Sequence, residues 1–183
     1  IFRTREFEQM EIEYFVREGE WETHFENWRQ AMRAWMEAIG LDMSRVHELE
    51  VAPEDRAHYS KRTIDFEYDF PFGRKELCGL AYRTDFDLKN HSAASGVDLS
   101  YYDEETKERF IPHVIEPTFG LDRIVLALLT QTYTEDELGG EKRVSLKLPA
   151  AVAPVRVAVF PLLKNKPELV AKAREIFTML RKA

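Results

Sequence analysis

Three side chains near the start of the sequence stand four residues apart and could do chemistry together. Arg3, Phe7 and Glu11 supply a guanidinium, an aromatic ring and a carboxylate. In an extended strand, where alternate side chains share a face, this spacing puts them on one face at intervals of roughly 13 Å. A guanidinium binds phosphate, a ring stacks on a base, and a carboxylate binds an ammonium group. The row fits a nucleotide joined to a small cation, but an exposed strand whose charges pair with neighbouring strands gives the same pattern.

A further cation lies at the start of a predicted helix. Arg123 ends the segment Gly-Leu-Asp-Arg and precedes an apolar run in which an unpaired arginine would be costly. Free backbone N–H groups at a helix N-terminus attract anions, so this arginine indicates a phosphate site or a second face for a stacked base. The histidines have no convincing catalytic partner in the sequence and are interpreted as structural or surface residues: His24, His47, His58, His91 and His113.

Composition limits the class of protein. The chain has 183 residues, 44% of them hydrophobic, which is enough for one domain with a core and a smaller piece of a second. No apolar run is long enough to cross a membrane, so a soluble protein is expected. Cys78 is the only cysteine, which excludes an internal disulfide and suits the cytoplasm. The net charge of -7 argues against general polyanion binding, although a local basic patch could hold a specific RNA.

The elements that must position these side chains are interspersed strands and helices, without a repeat. Opposite the first row, alternate apolar residues predict a core-facing side of the strand: Met10, Ile12, Tyr14 and Val16. A helix is predicted over 22–39, with Gly40 as its C-cap. The tryptophans at 21, 28 and 35 are interpreted as part of a core stripe, with a ligand cage as the less favoured alternative.

The rest of the chain is predicted from the same periodicities and from its turn residues. The predicted elements are a short helix at 54–62, an extended segment at 63–70, a turn at 71–74, a buried strand at 76–82, an exposed excursion at 92–110, an extended run at 113–119, an apolar helix at 124–130 buried on most sides, a strand at 155–160 and a helix at 167–181. The best candidate for a domain boundary is 147–154. Because one strand and one helix cannot bury their own faces, the second domain is expected to be incomplete. The chain starts with Ile1 rather than methionine and is expected to be part of a longer protein.

Taken together, these segments resemble the class II aminoacyl-tRNA synthetases. Arg3-x-x-x-Phe7-x-x-x-Glu11 is similar to the second half of that family's motif 2, and Gly120-Leu-Asp-Arg123 with its apolar helix is similar to motif 3. Three stretches are closer still to the dimeric glycyl-tRNA synthetase family: Arg5-Glu-Phe-Glu-Gln-Met-Glu-Ile-Glu13, Glu116-Pro-Thr-Phe-Gly-Leu-Asp-Arg123 and Ala153-Pro-Val-Arg-Val-Ala-Val-Phe-Pro161. The resemblance runs nearly end to end and is weakest between about 19 and 70. Motif 1 and the opening strand of motif 2 have no counterpart in this sequence.

The resemblance implies an α+β fold class, in which the antiparallel sheet of a class II synthetase is flanked by helices and followed by the start of an α/β anticodon-binding domain. It implies a catalytic core at 1–151, with a helical insertion at about 20–70, and the beginning of the anticodon-binding domain at 152–183. The implied activity is ATP-dependent attachment of glycine to its tRNA, tRNA(Gly), through a glycyl-adenylate. The implied cofactor is Mg²⁺, and the expected state is a cytoplasmic homodimer.

Roles for individual residues also come from the resemblance. Arg3, Arg123 and Glu76 would be catalytic: Arg3 on the outer phosphates of ATP, Arg123 over the adenine or at the terminal phosphate, and Glu76 handling ATP with Mg²⁺. The implied ATP-binding set is Phe2, Arg3, Thr4, Arg5, Glu6, Phe7, Glu76, Leu77, Gly120, Leu121, Asp122 and Arg123. The implied glycine-binding set is Phe7, Glu8, Gln9, Met10, Glu11, Arg83, Glu116, Pro117, Thr118, Phe119 and Gly120. Within it, Glu11 assisted by Glu116 would bind the ammonium group, and Thr118 replaces a serine often found there.

Two alternatives remain at this point. A non-catalytic relative, such as the accessory subunit of mitochondrial DNA polymerase, would keep the fold and bind nucleic acid. Such proteins lose the ATP ligands, whereas Arg3, Phe7, Glu76 and Arg123 are all present here. A sister class II synthetase would differ in the residues that face the amino acid.

Overall fold

The structure is a computed structural model that describes residues 2–182. Ile1, where the predicted first strand starts, and Ala183 lie outside the described residues. The chain divides into two compact units between Leu148 and Pro149, within the predicted boundary segment and three residues before the predicted end of the core.

Helices and strands are interspersed along the first unit, as the pattern predicts. The helices of the described residues are α1 (Trp21–Ala38), α2 (Phe86–Ser95), α3 (Leu121–Thr132) and, in the second unit, α4 (Pro167–Leu180). The strands are β1 (Gln9–Glu11), β2 (Tyr14–Val16), β3 (Val46–Glu50), β4 (Arg62–Phe70), β5 (Gly73–Thr84), β6 (Tyr101–Tyr102), β7 (Arg109–Phe110), β8 (His113–Gly120), β9 (Tyr133–Leu138) and β10 (Glu141–Leu146).

A six-stranded antiparallel sheet forms the centre of the first unit. Its order is β1–β8–β5–β4–β3, and β2 pairs with β8 just beyond β1, so that β1 and β2 share one edge of β8. The hairpins β6–β7 and β9–β10 are separate from this sheet. Strands far apart in sequence therefore meet in the middle of the sheet. β8, which leads directly into α3, lies between β1 and β5.

One face of the sheet packs on α1 and forms the core. Phe25, Met32 and Met36 of α1 are buried, and the ring of Trp21 stacks on that of Tyr82 in β5, with centroids 4.1 Å apart. Cys78 is buried on the same strand, and burial raises the pKa of its thiol to about 12. In this environment the cysteine packs as a small apolar residue of the core.

The tryptophans of α1 contact aromatic residues of the sheet instead of forming a cage. Trp28 lies against Tyr14 and Trp35 against Phe119, both edge to face. The helix begins one residue before the predicted start, and Gly40 follows its C-cap with φ of 85°. The prediction of a core-facing aromatic stripe on a helix is therefore confirmed.

The opposite face of the sheet carries short and acidic side chains. Cross-strand pairing aligns Asp65, Gly79, Thr118 and Glu11 in a single row across β4, β5, β8 and β1. A sheet face on which successive strands contribute neighbouring residues can gather groups that are distant in sequence. This row positions the candidate site.

The first strand is shorter than its alternating pattern predicts. Residues 2–8 lie outside any strand, and only β1 and β2 pair with β8. Met10 is 42% and Ile12 38% exposed, so the prediction that they face the core is wrong for these two, whereas Val16 is buried. The reason is that β1 is the edge of the sheet, where a side chain has strand neighbours on one side only.

Four further predictions differ from the structure. The short helix predicted at 54–62 is a series of turns, and the strand predicted at 155–160 pairs with no strand among residues 2–182. The α3 helix buries Ile124 and Leu128 but leaves Val125 and Leu129 over 40% exposed, so it is amphipathic and not buried on most sides. The region predicted as a helical insertion at about 20–70 is only partly helical, because β3 and β4 extend the central sheet.

Other elements agree with their predictions or refine them. The β4 and β5 strands and the turn between them match the predicted segments at 63–82, and β8 matches the extended run. The exposed excursion consists of the end of α2 and the β6–β7 hairpin. In the second unit, α4 has a proline at its N-terminus as predicted, and none of its residues is buried. Among residues 2–182, no helix combines the length and the apolar character needed to span a membrane.

Candidate functional site

A cavity of about 580 Å³ opens between the segment 2–9, strand β5 and the start of α3. Its volume is in the range typical of small-molecule sites. It is lined by Phe2, Arg3, Thr4, Glu6, Phe7, Glu8, Gln9, Glu76, Leu77, Cys78, Gly79, Thr118, Gly120, Asp122, Arg123 and Leu126. Most of the predicted ATP-binding residues and part of the predicted glycine-binding set are therefore brought together. Arg5 and Leu121 do not line it, nor do Met10, Glu11, Arg83, Glu116, Pro117 and Phe119.

The first turn of α3 holds Arg123 at the cavity wall. Its Nη1 donates to the backbone oxygen of Glu76 at 2.9 Å and to the Glu76 carboxylate at 3.1 Å, and its guanidinium lies 4.2 Å from the centroid of the Phe2 ring. Gly120 precedes this turn, and a Cβ there would lie 3.2 Å from the Leu77 oxygen and 3.3 Å from Cδ of Arg123. A side chain at 120 would therefore crowd the backbone of β5 and the Arg123 side chain.

The same helix end fixes the segment that leads into β1. The Asp122 carboxylate accepts a hydrogen bond of 2.9 Å from the backbone nitrogen of Glu8, and the Leu121 nitrogen donates to the Glu8 oxygen at 3.1 Å. Asp122 and Leu121 therefore join the two predicted motifs to each other. Their contacts give them a supporting position next to the cavity.

In the segment 2–8, the side chains of Arg3, Arg5 and Phe7 are exposed to solvent. Within residues 2–182, neither Arg3 nor Arg5 makes an ion pair or a side-chain hydrogen bond. The Phe7 ring is 65% exposed although it lines the cavity. An aromatic ring without a stacking partner at a cavity can stack on a flat base. A guanidinium without an ion pair can bind a phosphate.

Beyond the cavity, along β8, three glutamates converge. Carboxylate oxygens of Glu11, Glu13 and Glu116 all lie within 4.8 Å of one another. Glu116 is buried, with its Oε2 2.9 Å from Nη1 of Arg83. Arg83 also binds the Asp87 carboxylate at 2.7 and 3.1 Å, and these carboxylates raise its pKa. We name Glu11, Glu13 and Glu116 the carboxylate cluster.

Arg83 stands next to an irregular point in β5. The pairing of β5 with β8 shifts between Tyr82 and Thr84, and Thr84 has φ of 60°, which is unusual for a β-branched residue. Arg83 stands at this irregularity, and its guanidinium also lies 3.9 Å from the centroid of the Tyr59 ring. The irregularity therefore lies next to the cation that contacts Glu116.

Thr118 and Gly79 form the floor between the cavity and the carboxylate cluster. The Thr118 hydroxyl donates to the Gly79 oxygen at 3.2 Å, and a Cβ at residue 79 would come within 2.8 Å of that hydroxyl oxygen. A side chain at 79 would therefore push the Thr118 side chain out of its place.

Asp65 extends the acidic character of the open sheet face toward Glu76. Burial is the main cause that raises the pKa of Asp65 to about 6, and the charges of Glu76 and Glu67 add to it. The Glu76 side chain is about half exposed, and one of its oxygens is engaged by Arg123. A cation bound here would be favoured by this group of carboxylates.

The period of a strand puts Glu13 on the same face as Glu11, but the sequence assigned it no role in the site. Gly79 was not singled out by the sequence. The contact between Gly79 and Thr118 depends on pairing between β5 and β8, for which the local pattern gives no signal.

Comparisons with known proteins agree with the resemblance in the sequence. The family model described as "tRNA synthetase class II core domain (G, H, P, S and T)" matches residues 1–132. A glycine–tRNA ligase of Caldanaerobacter subterraneus subsp. tengcongensis is 49% identical over 94% of this chain and 37% of its own length. The glycine–tRNA ligase of Thermobifida fusca is 48% identical over 100% of this chain and 41% of its own length, and that of Thermus thermophilus is 46% identical over 96% and 38%. This chain therefore spans about two fifths of the length of these relatives.

Proposed function

Because this chain belongs to the class II tRNA synthetase core family, we propose that it supplies part of the catalytic core of an enzyme that joins glycine to its tRNA, tRNA(Gly). The observation that carries the proposal is the arrangement of the cavity and the carboxylate cluster along β8. The cavity would hold a nucleotide, and the carboxylate cluster would hold an ammonium group. Thr118 and Gly79 lie between these two places. The identity of 46 to 49% to glycine–tRNA ligases supports glycine as the amino acid.

The cavity side chains would bind ATP. Phe7 would stack on the adenine, and Arg123 would close over it or reach the terminal phosphate, while Arg3 would bind the outer phosphates. The exposure of Phe7 and the lack of described partners for Arg3 support these roles, because both side chains lie ready for a ligand.

Glu76 fits the role of a Mg²⁺ ligand. Its side chain is about half exposed, and only one of its oxygens is engaged by Arg123. Magnesium prefers oxygen ligands and is commonly held by one or two carboxylates together with substrate phosphates. When bound, Mg²⁺ would supply further neutralisation of phosphate charge.

Glycine would be bound by its ammonium group at the carboxylate cluster. Glu11 and Glu116 would provide the negative charge, and Arg83 would keep Glu116 oriented through the contact at 2.9 Å. Thr118, at the floor, would limit the space beside the glycine Cα.

The reaction proposed has two steps and needs no protein nucleophile. In the first, a carboxylate oxygen of glycine attacks the α-phosphorus of ATP, and pyrophosphate leaves to give glycyl-adenylate. In the second, a ribose hydroxyl of the tRNA attacks the glycyl carbonyl, loses its proton, and AMP leaves. The side chains of this site would act by orienting the two substrates and by neutralising phosphate charge.

We further propose that the protein containing this chain is a cytoplasmic homodimer and that residues 149–183 begin an anticodon-binding domain. The single cysteine suits a reducing compartment. The resemblance of 153–161 to the same family of ligases supports the assignment of the second unit.

The test is pyrophosphate exchange by the intact protein with ATP, Mg²⁺ and one amino acid at a time. Glycine is expected to support exchange, whereas alanine, serine, threonine, histidine and proline are expected to support little. Exchange supported by another amino acid of this set, with none for glycine, would reassign the substrate. No exchange with any amino acid in a folded protein would favour a non-catalytic relative.

A further inference from the structure

The segment 2–8, which carries side chains of the proposed nucleotide site, is held at its two ends. These residues lie outside any strand, and residues 3–8 are exposed. Among residues 2–182, the only hydrogen bond of the stretch 3–7 joins the Thr4 hydroxyl to the backbone oxygen of Glu6, within the stretch itself. The position of this stretch in the fold therefore depends on the contacts at either end.

Aromatic contacts hold the first end. The Phe2 ring lies edge to face with the rings of Phe70 and Phe72, with centroids 5.4 and 5.6 Å away. Arg123, in the first turn of α3, places its guanidinium 4.2 Å from the centroid of the same ring. The start of the segment is therefore fixed against α3 and the turn between β4 and β5.

At the second end, the pairing of β1 with β8 continues by one residue. The register of these strands runs through Gln9 opposite Gly120, so the next opposed pair is Glu8 and Leu121. In an antiparallel ladder, a hydrogen-bonded pair of this kind exchanges two bonds between its backbones. The Leu121 nitrogen donates to the Glu8 oxygen at 3.1 Å, which supplies one of the two.

The acceptor for the second bond comes from a side chain. Because α3 begins at Leu121, the carbonyl of this residue accepts from the nitrogen four residues further along the helix. The Glu8 nitrogen donates instead to the Asp122 carboxylate at 2.9 Å. Asp122 thus replaces the backbone acceptor that the ladder loses where the strand ends and the helix begins.

We propose that Asp122 is a positioning residue of the nucleotide site, which acts by holding Glu8 and with it the segment that carries Arg3 and Phe7. The inference rests on the function proposed above. Asp122 lines the cavity, but its carboxylate is engaged by the Glu8 nitrogen, so its effect on ATP passes through the backbone. A segment that is already in place when ATP arrives removes part of the ordering cost of binding.

Loss of this carboxylate should weaken the binding of ATP and leave that of glycine nearly unaffected. Asp122→Ala leaves the Glu8 nitrogen without its acceptor and allows the segment to move away. If the segment then holds its binding arrangement for about a tenth of the time, the apparent Kd for ATP rises about tenfold. The KM for glycine should change little, because the pairing that positions Glu11 opposite Thr118 does not involve Asp122.

The conservative variant separates this role from a direct contact with the ligand. Asp122→Asn keeps a side-chain oxygen that can accept from the Glu8 nitrogen, but it has no charge. It should therefore lose much less affinity for ATP than Asp122→Ala. If the charge acted on ATP or on its metal ion, both variants would lose affinity alike.

The experiment combines three measurements on the intact protein and its variants. Calorimetric titration gives the Kd for ATP, pyrophosphate exchange gives the KM for ATP and for glycine, and hydrogen exchange reports on the backbone of residues 2–8. In Asp122→Ala, hydrogen exchange of this segment should become faster, because the amide of Glu8 is no longer held. Asp42→Ala is the matched control, since Asp42 accepts a bond of 3.0 Å from the Ser44 nitrogen outside the cavity lining. It should leave all three measurements unchanged.

A double substitution tests whether the effect passes through the segment. Phe7→Ala should raise the Kd for ATP in the protein that has Asp122. It should add little in Asp122→Ala, because a ring on a displaced segment no longer contacts the base, so the two effects are not additive.

Three results would overturn the inference and leave the proposed function intact. They are an unchanged Kd for ATP in a folded Asp122→Ala protein, an equal loss of affinity in Asp122→Asn and Asp122→Ala, and fully additive effects of Asp122→Ala and Phe7→Ala. If Asp122→Ala does not fold, a large loss of ATP affinity in Asp122→Asn contradicts the inference by itself. If the intact protein neither binds ATP nor activates glycine, the proposed function fails and this inference fails with it.

Discussion

Replacing Arg123 by alanine tests the nucleotide site most directly. In the structure the side chain makes two hydrogen bonds to Glu76 and covers the Phe2 ring. The ion pair is partly exposed, so its loss should lower the free energy of unfolding by at most about 1 kcal/mol. In a chain of this size that corresponds to a fall in Tm of about 2–4 °C. The hydrogen bonds of Leu121 and Asp122 to Glu8 stay in place, so the segment leading into β1 should keep its position.

The expected effect on activity is larger than the effect on stability. If Arg123 makes a charge-assisted contact with ATP, its loss costs about 1.5–3 kcal/mol in the reaction. At about 1.4 kcal/mol for each factor of ten, the rate of adenylate formation should fall about 10- to 150-fold.

The assay is pyrophosphate exchange with saturating glycine over a range of ATP concentrations, together with thermal denaturation of the same samples. Arg143→Ala is the control, because Arg143 makes a two-point ion pair of 2.7 Å with Asp136 in the β9–β10 hairpin, outside the cavity. It should lose a similar amount of stability and keep its exchange rate. A folded Arg123→Ala protein with unchanged exchange would refute the assignment of this residue to the nucleotide site.

Four other changes address the amino acid, the floor of the site and the second unit. Glu11→Gln should raise the KM for glycine by about tenfold in pyrophosphate exchange, because it removes a charge from the ammonium site. The KM for ATP should change little. A change in the ATP dependence alone would contradict this role of Glu11. Thr118→Gly should allow measurable activation of alanine, since rejection of one methyl group is worth only about 1–3 kcal/mol, and continued absence of alanine exchange would place the steric barrier elsewhere. Gly79→Ala should lower the free energy of unfolding by about 1–3 kcal/mol, because its Cβ would meet the Thr118 hydroxyl at 2.8 Å. Adding Thr118→Ala to that variant should recover much of the Tm, and no recovery would mean that the strain lies in the backbone. Residues 149–183 expressed alone should lack a cooperative thermal transition in circular dichroism, because no residue of α4 is buried; a sharp transition would reveal an independent core.

Predictions were accurate where the interactions that determine an element lie within a few residues of one another in the sequence. The α1 helix is confirmed because its apolar spacing and the glycine after its C-cap act within a few residues. The β5 strand is confirmed because its turn and its apolar run are adjacent in sequence. The predicted core side of the first strand failed at Met10 and Ile12, because the alternation of side chains does not reveal whether a strand lies at an edge.

The second unit illustrates the same limit. The helix α4 forms where proline and apolar spacing predict it, since a helix satisfies its own backbone hydrogen bonds. The segment 155–160 has the composition of a strand but pairs with no strand among residues 2–182. A strand needs a partner, and its composition alone does not supply one.

Part of the candidate site could be predicted from local sequence, and part of it could not. The sequence by itself determined the types of its residues and their local spacing: the row from Arg3 to Glu11, the glycine and arginine at the start of α3, and the family to which they point. Only the tertiary structure decided that Glu13 lies against Glu116, that Arg83 binds the latter, and that Gly79 lies under Thr118. These contacts join strands separated by tens of residues, and the register of β8 between its two neighbours sets them. Periodicity tells which face a side chain takes on its own strand, whereas the neighbour it meets across the sheet depends on how distant segments pair and pack.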